Sequence, residues 1–212
     1  PAVGTPFLAS AAPQPIPTPF LDVTQILPPP FEWCDIPAGQ VTLEDATKYH
    51  LGGTNGGTFP VAAFKMGKYP ITNAQYAVFV QDGYPDPRWW DFSDPAKSWR
   101  ETNFESVKTA FAGDDLPRTN VDWYNAMAFC RWLSACSGQN ITLPTEQQWQ
   151  WAARGPDGRQ YPWGNEVPDK NHANFGNNLG KPAPVTHYPK GESPFHVMDM
   201  SGNVWEWCLN EW

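Results

Sequence analysis

The carboxylates of Asp199 and Glu206 stand on either side of Ser201, Gly202 and Asn203, within the run Val197-Met198-Asp199-Met200-Ser201-Gly202-Asn203-Val204-Trp205-Glu206-Trp207-Cys208. A glycine at such a bend lets backbone carbonyls turn inward. Two carboxylates with carbonyl oxygens are a ligand set for a hard divalent cation. The competing reading is a turn with a solvated Glu and no metal, since the loop spacing of an EF-hand is absent. A second oxygen-rich stretch holds Asn174, Asn177 and Asn178 with Gly176 and Gly180. Its amide and backbone oxygens could also form a cage. Asparagine equally serves turns for conformational reasons alone.

Other chemistries find little support. His50, His172, His187 and His196 are scattered, with no His-x-x-x-His pair and no serine or cysteine elbow, so a hydrolytic triad is not indicated. Neither a Gly-x-Gly-x-x-Gly nor a Walker loop occurs, which removes dinucleotide and nucleoside triphosphate readings. Cys34, Cys130, Cys136 and Cys208 show no paired metal spacing. They read as two bridges in a secreted chain or as buried free thiols in a reducing compartment, and the apolar stripe around Cys130 favours the thiols and a cytoplasmic location. A formal charge of −8 argues against nucleic acid or an anionic membrane as partner. No apolar run is long enough to span a bilayer.

These residues must be positioned by a chain of 212 residues with 12 Trp, 24 Pro and 17 Gly, a composition that describes a loop-rich domain pinned by aromatics. Residues 1–30 are proline-rich and read either as a linker to an upstream domain or as an arm that wraps this one through Phe7, Leu8, Ile16, Phe20 and Leu21. Strands are predicted at 31–36, 41–43 and 59–69, the last two joined through a glycine-rich hairpin turn at 52–57. Three helices follow. The first is capped by Thr72 with Gln75 and stopped by Gly83; the second is capped by Asp122, carries Ala126, Phe129, Cys130 and Leu133 on one stripe, and ends at Gly138. Thr145 and Gln148 open the third, which buries Trp149, Ala152 and Ala153 and ends at Gly155. Residues 84–117 read as a long loop, in which Trp89, Trp90 and Phe92 either face a ligand or pin the loop to the core. Beyond the third helix come short strands and turns, closed by a strand over 203–207 with Val204 on one face and Trp205 and Trp207 on the other.

Five ordered stretches, Phe64 to Tyr76, Asn120 to Ala126, Leu143 to Trp149, Tyr161 to Asn165 and Gly202 to Trp207, resemble the signature blocks of the sulfatase-modifying-factor family, the formylglycine-generating-enzyme domain. The resemblance covers 31–212. It implies an α+β, C-type-lectin-like fold with two main helices on a small mixed sheet, long loops, and a domain incomplete at its C-terminus. It also implies two calcium sites. One would use Asn174, the carbonyl of Phe175, Asn177 and the carbonyl of Leu179. The other would use Asp199, the carbonyls of Gly202 and Val204, and Glu206.

Oxidases of this family use a copper-binding cysteine pair in a later segment, and none of the four cysteines here matches it. The chain also resembles the variable proteins of diversity-generating retroelements in its proline-rich lead-in, the Trp89 to Phe92 loop and its ending. The expectation is therefore a non-catalytic ligand-binding module for a protein or small molecule, with Trp89, Trp90, Phe92, Trp205 and Trp207 as its face, fused to or docked on an upstream domain. The alternative is a copper-dependent formylglycine-generating oxidase or a related thiol- or amine-modifying enzyme. A purely structural domain is a third reading.

Overall fold

The computed structural model describes residues 20–44, 56–176 and 178–209. Helix α1 (Val23–Ile26) is followed by β1 (Trp33–Ile36), β2 (Gly39–Leu43), β3 (Gly57–Val61) and β4 (Phe64–Gly67). Then come α2 (Asn73–Asp82), a 3-10 turn (Pro87–Trp90), α3 (Asp94–Thr102), α4 (Trp123–Ser137), α5 (Glu146–Arg154) and a final 3-10 turn (Pro189–Gly191).

In place of one small mixed sheet, the described strands form two separate antiparallel pairs, β1 with β4 and β2 with β3. The β2 and β3 register runs from Gly39 opposite Val61 to Leu43 opposite Gly57, the pairing that the predicted hairpin requires. Most of its turn lies outside the described residues. The segment read as one strand over 59–69 is divided at Ala62 and Ala63, so that its second half leaves β2 and pairs with β1.

Each predicted cap forms. The hydroxyls of Thr72 and Thr145 accept from the amides of Gln75 and Gln148, whose side chains reach back to the cap residues, and Asp122 accepts from the Asn125 amide. Gly138 ends α4 at φ 68°, a conformation that glycine adopts without a Cβ penalty.

Two apolar clusters make the core. In the first, the α4 stripe of Ala128, Phe129, Trp132 and Leu133 meets Tyr76 and Phe79 of α2 and the 3-10 turn. Trp132 satisfies its indole by donating to Asp82 Oδ2 at 2.7 Å. α1 also packs on α4 through Val23 and Leu27. In the second, Trp151, Ala152 and Ala153 of α5 cover Val41, Leu43 and Val61 and reach Val197 and Met200. The Trp151 ring lies so close over Gly39 that any Cβ there would collide with it, and its indole N–H donates to the Pro37 carbonyl at 2.8 Å.

Three expectations are corrected. Residues 84–117 are not a featureless loop: Asp86 with Pro87 caps the 3-10 turn, and Ser93, with Pro95 in the first turn, starts α3. Arg100 on α3 fastens that segment, donating to the carbonyls of Asn103 at 2.8 Å and Tyr84 at 2.7 Å. Trp89 and Trp90, candidates for an open ligand face, are both buried, Trp90 completely beneath Tyr84, Phe79 and Arg100, while the Arg88 guanidinium lies over Trp89. The closing stretch 203–207 is a succession of bends rather than a strand. Its backbone bonds go to Asn174, to Gly202 and, from Leu209, to Pro144, which leaves no ladder partner among the described residues.

Candidate functional site

The bend is built from left-handed backbone. Asp199, Gly202 and Asn203 have φ of 56°, 89° and 63°, and a side chain at Gly202 would strike the Asn174 carbonyl. Asn203 is the hub. Its Nδ2 donates to Asp199 Oδ2 at 2.8 Å and to the Ala183 carbonyl at 3.1 Å, its Oδ1 accepts from the Ala183 amide at 2.8 Å, and its own amide donates to the Asn174 carbonyl at 2.9 Å. The two oxygen-rich stretches are thereby brought side by side.

Asp199 is buried, and that desolvation pushes its carboxyl up to about 6 against the opposing hydrogen bond from Asn203. Glu206 accepts from the indole N–H of Trp149 on α5 at 2.9 Å. Crowding by the surrounding protein pushes its carboxyl up to about 7, Trp149 opposes the rise, and the Asp199 charge adds to it. Glu206 itself is exposed on the bend.

The Asp199 charge thus acts on Glu206, and no lysine or arginine is among the groups that shift either. That uncompensated pair fits a hard cation by charge, with the Val204 carbonyl on the same bend, while the Gly202 carbonyl already accepts from the Val204 amide at 2.9 Å. The Asn174 set fits less well. Its described members are neutral, the Asn174 amide nitrogen donates to the Lys181 carbonyl, and the Phe175 carbonyl already accepts from Asn178. Phe175 and Leu179 are exposed, and Asn177 lies outside the described residues. Among the described residues no three His, Cys, Asp or Glu groups come together.

Beside the bend opens a cleft of about 800 Å³. Trp33, Met66, Ile71, Phe129, Leu143 and Met198 contribute to its walls, and Trp205, Glu206 and Trp207 to its rim. Trp205 is fully exposed, while Trp207 is pinned by donating to the Val121 carbonyl at 2.8 Å. Trp123, at the start of α4, donates to the Cys208 carbonyl at 2.9 Å and so holds the same segment from the helix side. Phe92 is half-buried in an aromatic stack with Trp123 and Tyr124. Of the five aromatics expected on a ligand face, Trp205 and Trp207 therefore line the cleft.

Cys34 and Cys130 are buried, Cys136 and Cys208 half-buried, and all four are free. Burial pushes the thiols of Cys130 and Cys208 up to about 12 and about 11.

Residues 30–212 match the model of the sulfatase-modifying factor enzyme 1-like domain. The chain belongs to this family. It is 34% identical over 171 residues to hercynine oxygenase of Mycobacterium tuberculosis, a match that covers 71% of this chain and 38% of that protein. It is 26% identical over 233 residues to the formylglycine-generating enzyme of Thermomonospora curvata, covering 84% and 73%. Among solved structures, PvdO from Pseudomonas aeruginosa matches with a TM-score of 0.58 and 21% identity, over 85% of this chain and 70% of that one. Treponema denticola variable protein 1 matches with a TM-score of 0.52 and 21% identity, over 84% and 72%. These likenesses show the fold, an α+β domain of the C-type-lectin-like, formylglycine-generating-enzyme type. The chain spans well under half the length of the hercynine oxygenases it matches. Among the described residues no helix is long and apolar enough to cross a membrane.

Sequence reasoning missed the parts of this sulfatase-modifying-factor domain that tie the site together. From sequence, Asn203 reads as one turn residue, Trp149 as core and Trp33 as part of the first strand, and no motif singles out Arg118. The Gly202-Asn203 pair was the available signal, since asparagine after glycine marks a left-handed position with a side chain able to bond its own backbone neighbourhood.

Proposed function

We propose that this domain is a ligand-binding module whose cleft receives a small molecule with an aromatic or aliphatic body, beside a calcium ion held by Asp199 and Glu206. The cleft carries the reading. Its volume of about 800 Å³ lies within the range of small-molecule sites, its walls are largely apolar, and a fully exposed tryptophan stands at its rim. Calcium, with the carbonyl of Val204, would neutralise the paired carboxylates and stiffen the rim.

The test is fluorescence titration with phenylnaphthylamine, a neutral aromatic probe. Saturable, one-to-one binding is expected, together with its loss in Ala126→Phe, because Ala126 lines the cleft and a phenyl ring there fills part of it. Binding that ignores Ala126→Phe places the probe elsewhere and contradicts the reading.

A second reading is favoured by the names of the relatives. In it the whole protein is an oxidoreductase resembling hercynine oxygenase or the formylglycine-generating enzyme, with its reacting groups outside the described residues and the cleft as substrate pocket. Oxygen uptake by the whole protein with copper(I) and a cysteine-containing peptide separates the two. Uptake with aldehyde formation supports the oxidase; intact probe binding without uptake supports the module.

A further inference from the structure

Lys65 and Arg118 are the basic residues that line the cleft. Lys65 pairs with Asp35 at 2.9 Å. Arg118 makes no such ion pair among the described residues. Its guanidinium instead lies 4.7 Å from the Tyr76 ring centroid, one terminal nitrogen donates to the Val107 carbonyl, and Nε is buried without a partner. The backbone fixes it further, with its amide donating to the Ile71 carbonyl at 2.8 Å and Pro117 bridged to Thr72.

A half-buried guanidinium with no counter-charge is costly, and the planar fork suits an oxyanion such as a carboxylate, phosphate or sulfonate. The surrounding desolvation draws its pKa below the usual arginine value, which marks the same unmet need. Charge on the remainder of the molecule does not supply the partner. Glu206, the acid at the rim, accepts from the Trp149 indole and makes no ion pair with Arg118 among the described residues. With a formal charge of −8 the chain as a whole repels anions, and a cation set in an apolar wall is a local device for choosing one.

We propose that Arg118 determines the specificity of the cleft by selecting ligands that carry an anionic group on an apolar aromatic body. This rests on the binding reading above and narrows its ligand class. Arg118 would anchor the acid while Ile71, Phe129 and Leu143 take the body.

Two probes that share one aromatic frame test it: anilinonaphthalene sulfonate and the neutral phenylnaphthylamine. The sulfonate is expected to bind the folded protein on the order of tenfold more tightly, as one charge-assisted hydrogen bond provides. The preference, taken in each protein as the ratio of the two probes' affinities, should shrink as salt is raised, disappear in Arg118→Gln and survive in part in Arg118→Lys. Equal affinities for the wild-type protein, or a preference that survives Arg118→Gln, overturn the proposal while leaving the cleft as a binding site. Failure of both probes to bind overturns the binding reading itself. Should Arg118→Gln not fold by circular dichroism, the wild-type comparison, its salt dependence and Arg118→Lys still decide the matter.

Discussion

Asn203 donates from Nδ2 to Oδ2 of Asp199 at 2.8 Å while its backbone amide holds the Asn174 carbonyl at 2.9 Å. One residue thus aims a buried carboxylate and joins two loops far apart in sequence. Replacing Asn203 by Ala removes the side-chain bonds to Asp199 and Ala183 and sets a β-carbon at φ 63°. A loss of about 2–3 kcal/mol is expected, from unpaired buried groups and the left-handed backbone. Urea unfolding measures it, and a loss below about 0.5 kcal/mol contradicts the role given to Asn203.

Calcium should raise the melting temperature if Asp199 and Glu206 hold it, because an ion bound only by the folded form stabilises that form. At a hundredfold excess over its dissociation constant the gain is about 2.7 kcal/mol. Thermal melting in calcium and then in chelator should differ for the wild type and coincide for Glu206→Gln. A midpoint indifferent to chelation counts against the ion.

Trp90 and Trp205 are expected to behave oppositely, one having no exposed surface and the other being fully exposed. Trp90→Ala should cost about 3–5 kcal/mol through the cavity it opens among Phe79, Tyr84 and Arg100. Trp205→Ala should change stability by less than about 0.5 kcal/mol and weaken probe binding instead. Similar destabilisation by both substitutions would show that Trp205 is packed rather than displayed.

The thiols should be sluggish. A Cys130 thiol pushed up to about 12 carries roughly a thousandfold less thiolate at pH 8 than an ordinary cysteine, and its burial also keeps reagent away. Alkylation followed by mass spectrometry should find Cys130 the slowest of the four in the native protein and all four fast in urea. Equal rates for native and unfolded Cys130 contradict its burial.

The helices were legible because their signals are local. Thr72, Asp122 and Thr145 each sit where a cap must, and the spacing of Phe129, Cys130 and Leu133 marks one face regardless of what covers it. The signal for α3 was also present, in Ser93 and Pro95, but the run of tryptophans beside it drew attention away from the cap. Trp90 could not be placed from sequence, since its burial depends on Arg100 and Tyr84 closing over it. The alternation from Asn203 to Trp207 misled for a related reason. A period of two needs a neighbouring strand to become a ladder, and here the left-handed residues Asp199, Gly202 and Asn203 turn the backbone toward Asn174 instead. The carboxylates of Asp199 and Glu206 were readable as a pair. The burial of Asp199 and the indole that Trp149 offers Glu206 are properties of the folded chain.

Indole N–H resonances followed by NMR during titration with phenylnaphthylamine report directly on the cleft. The account predicts that Trp33, Trp205 and Trp207 move together and saturate with one dissociation constant, while the core indoles of Trp90 and Trp132 stay in place. Shifts spread evenly over all tryptophans, or none at the three that line the cleft, would contradict it.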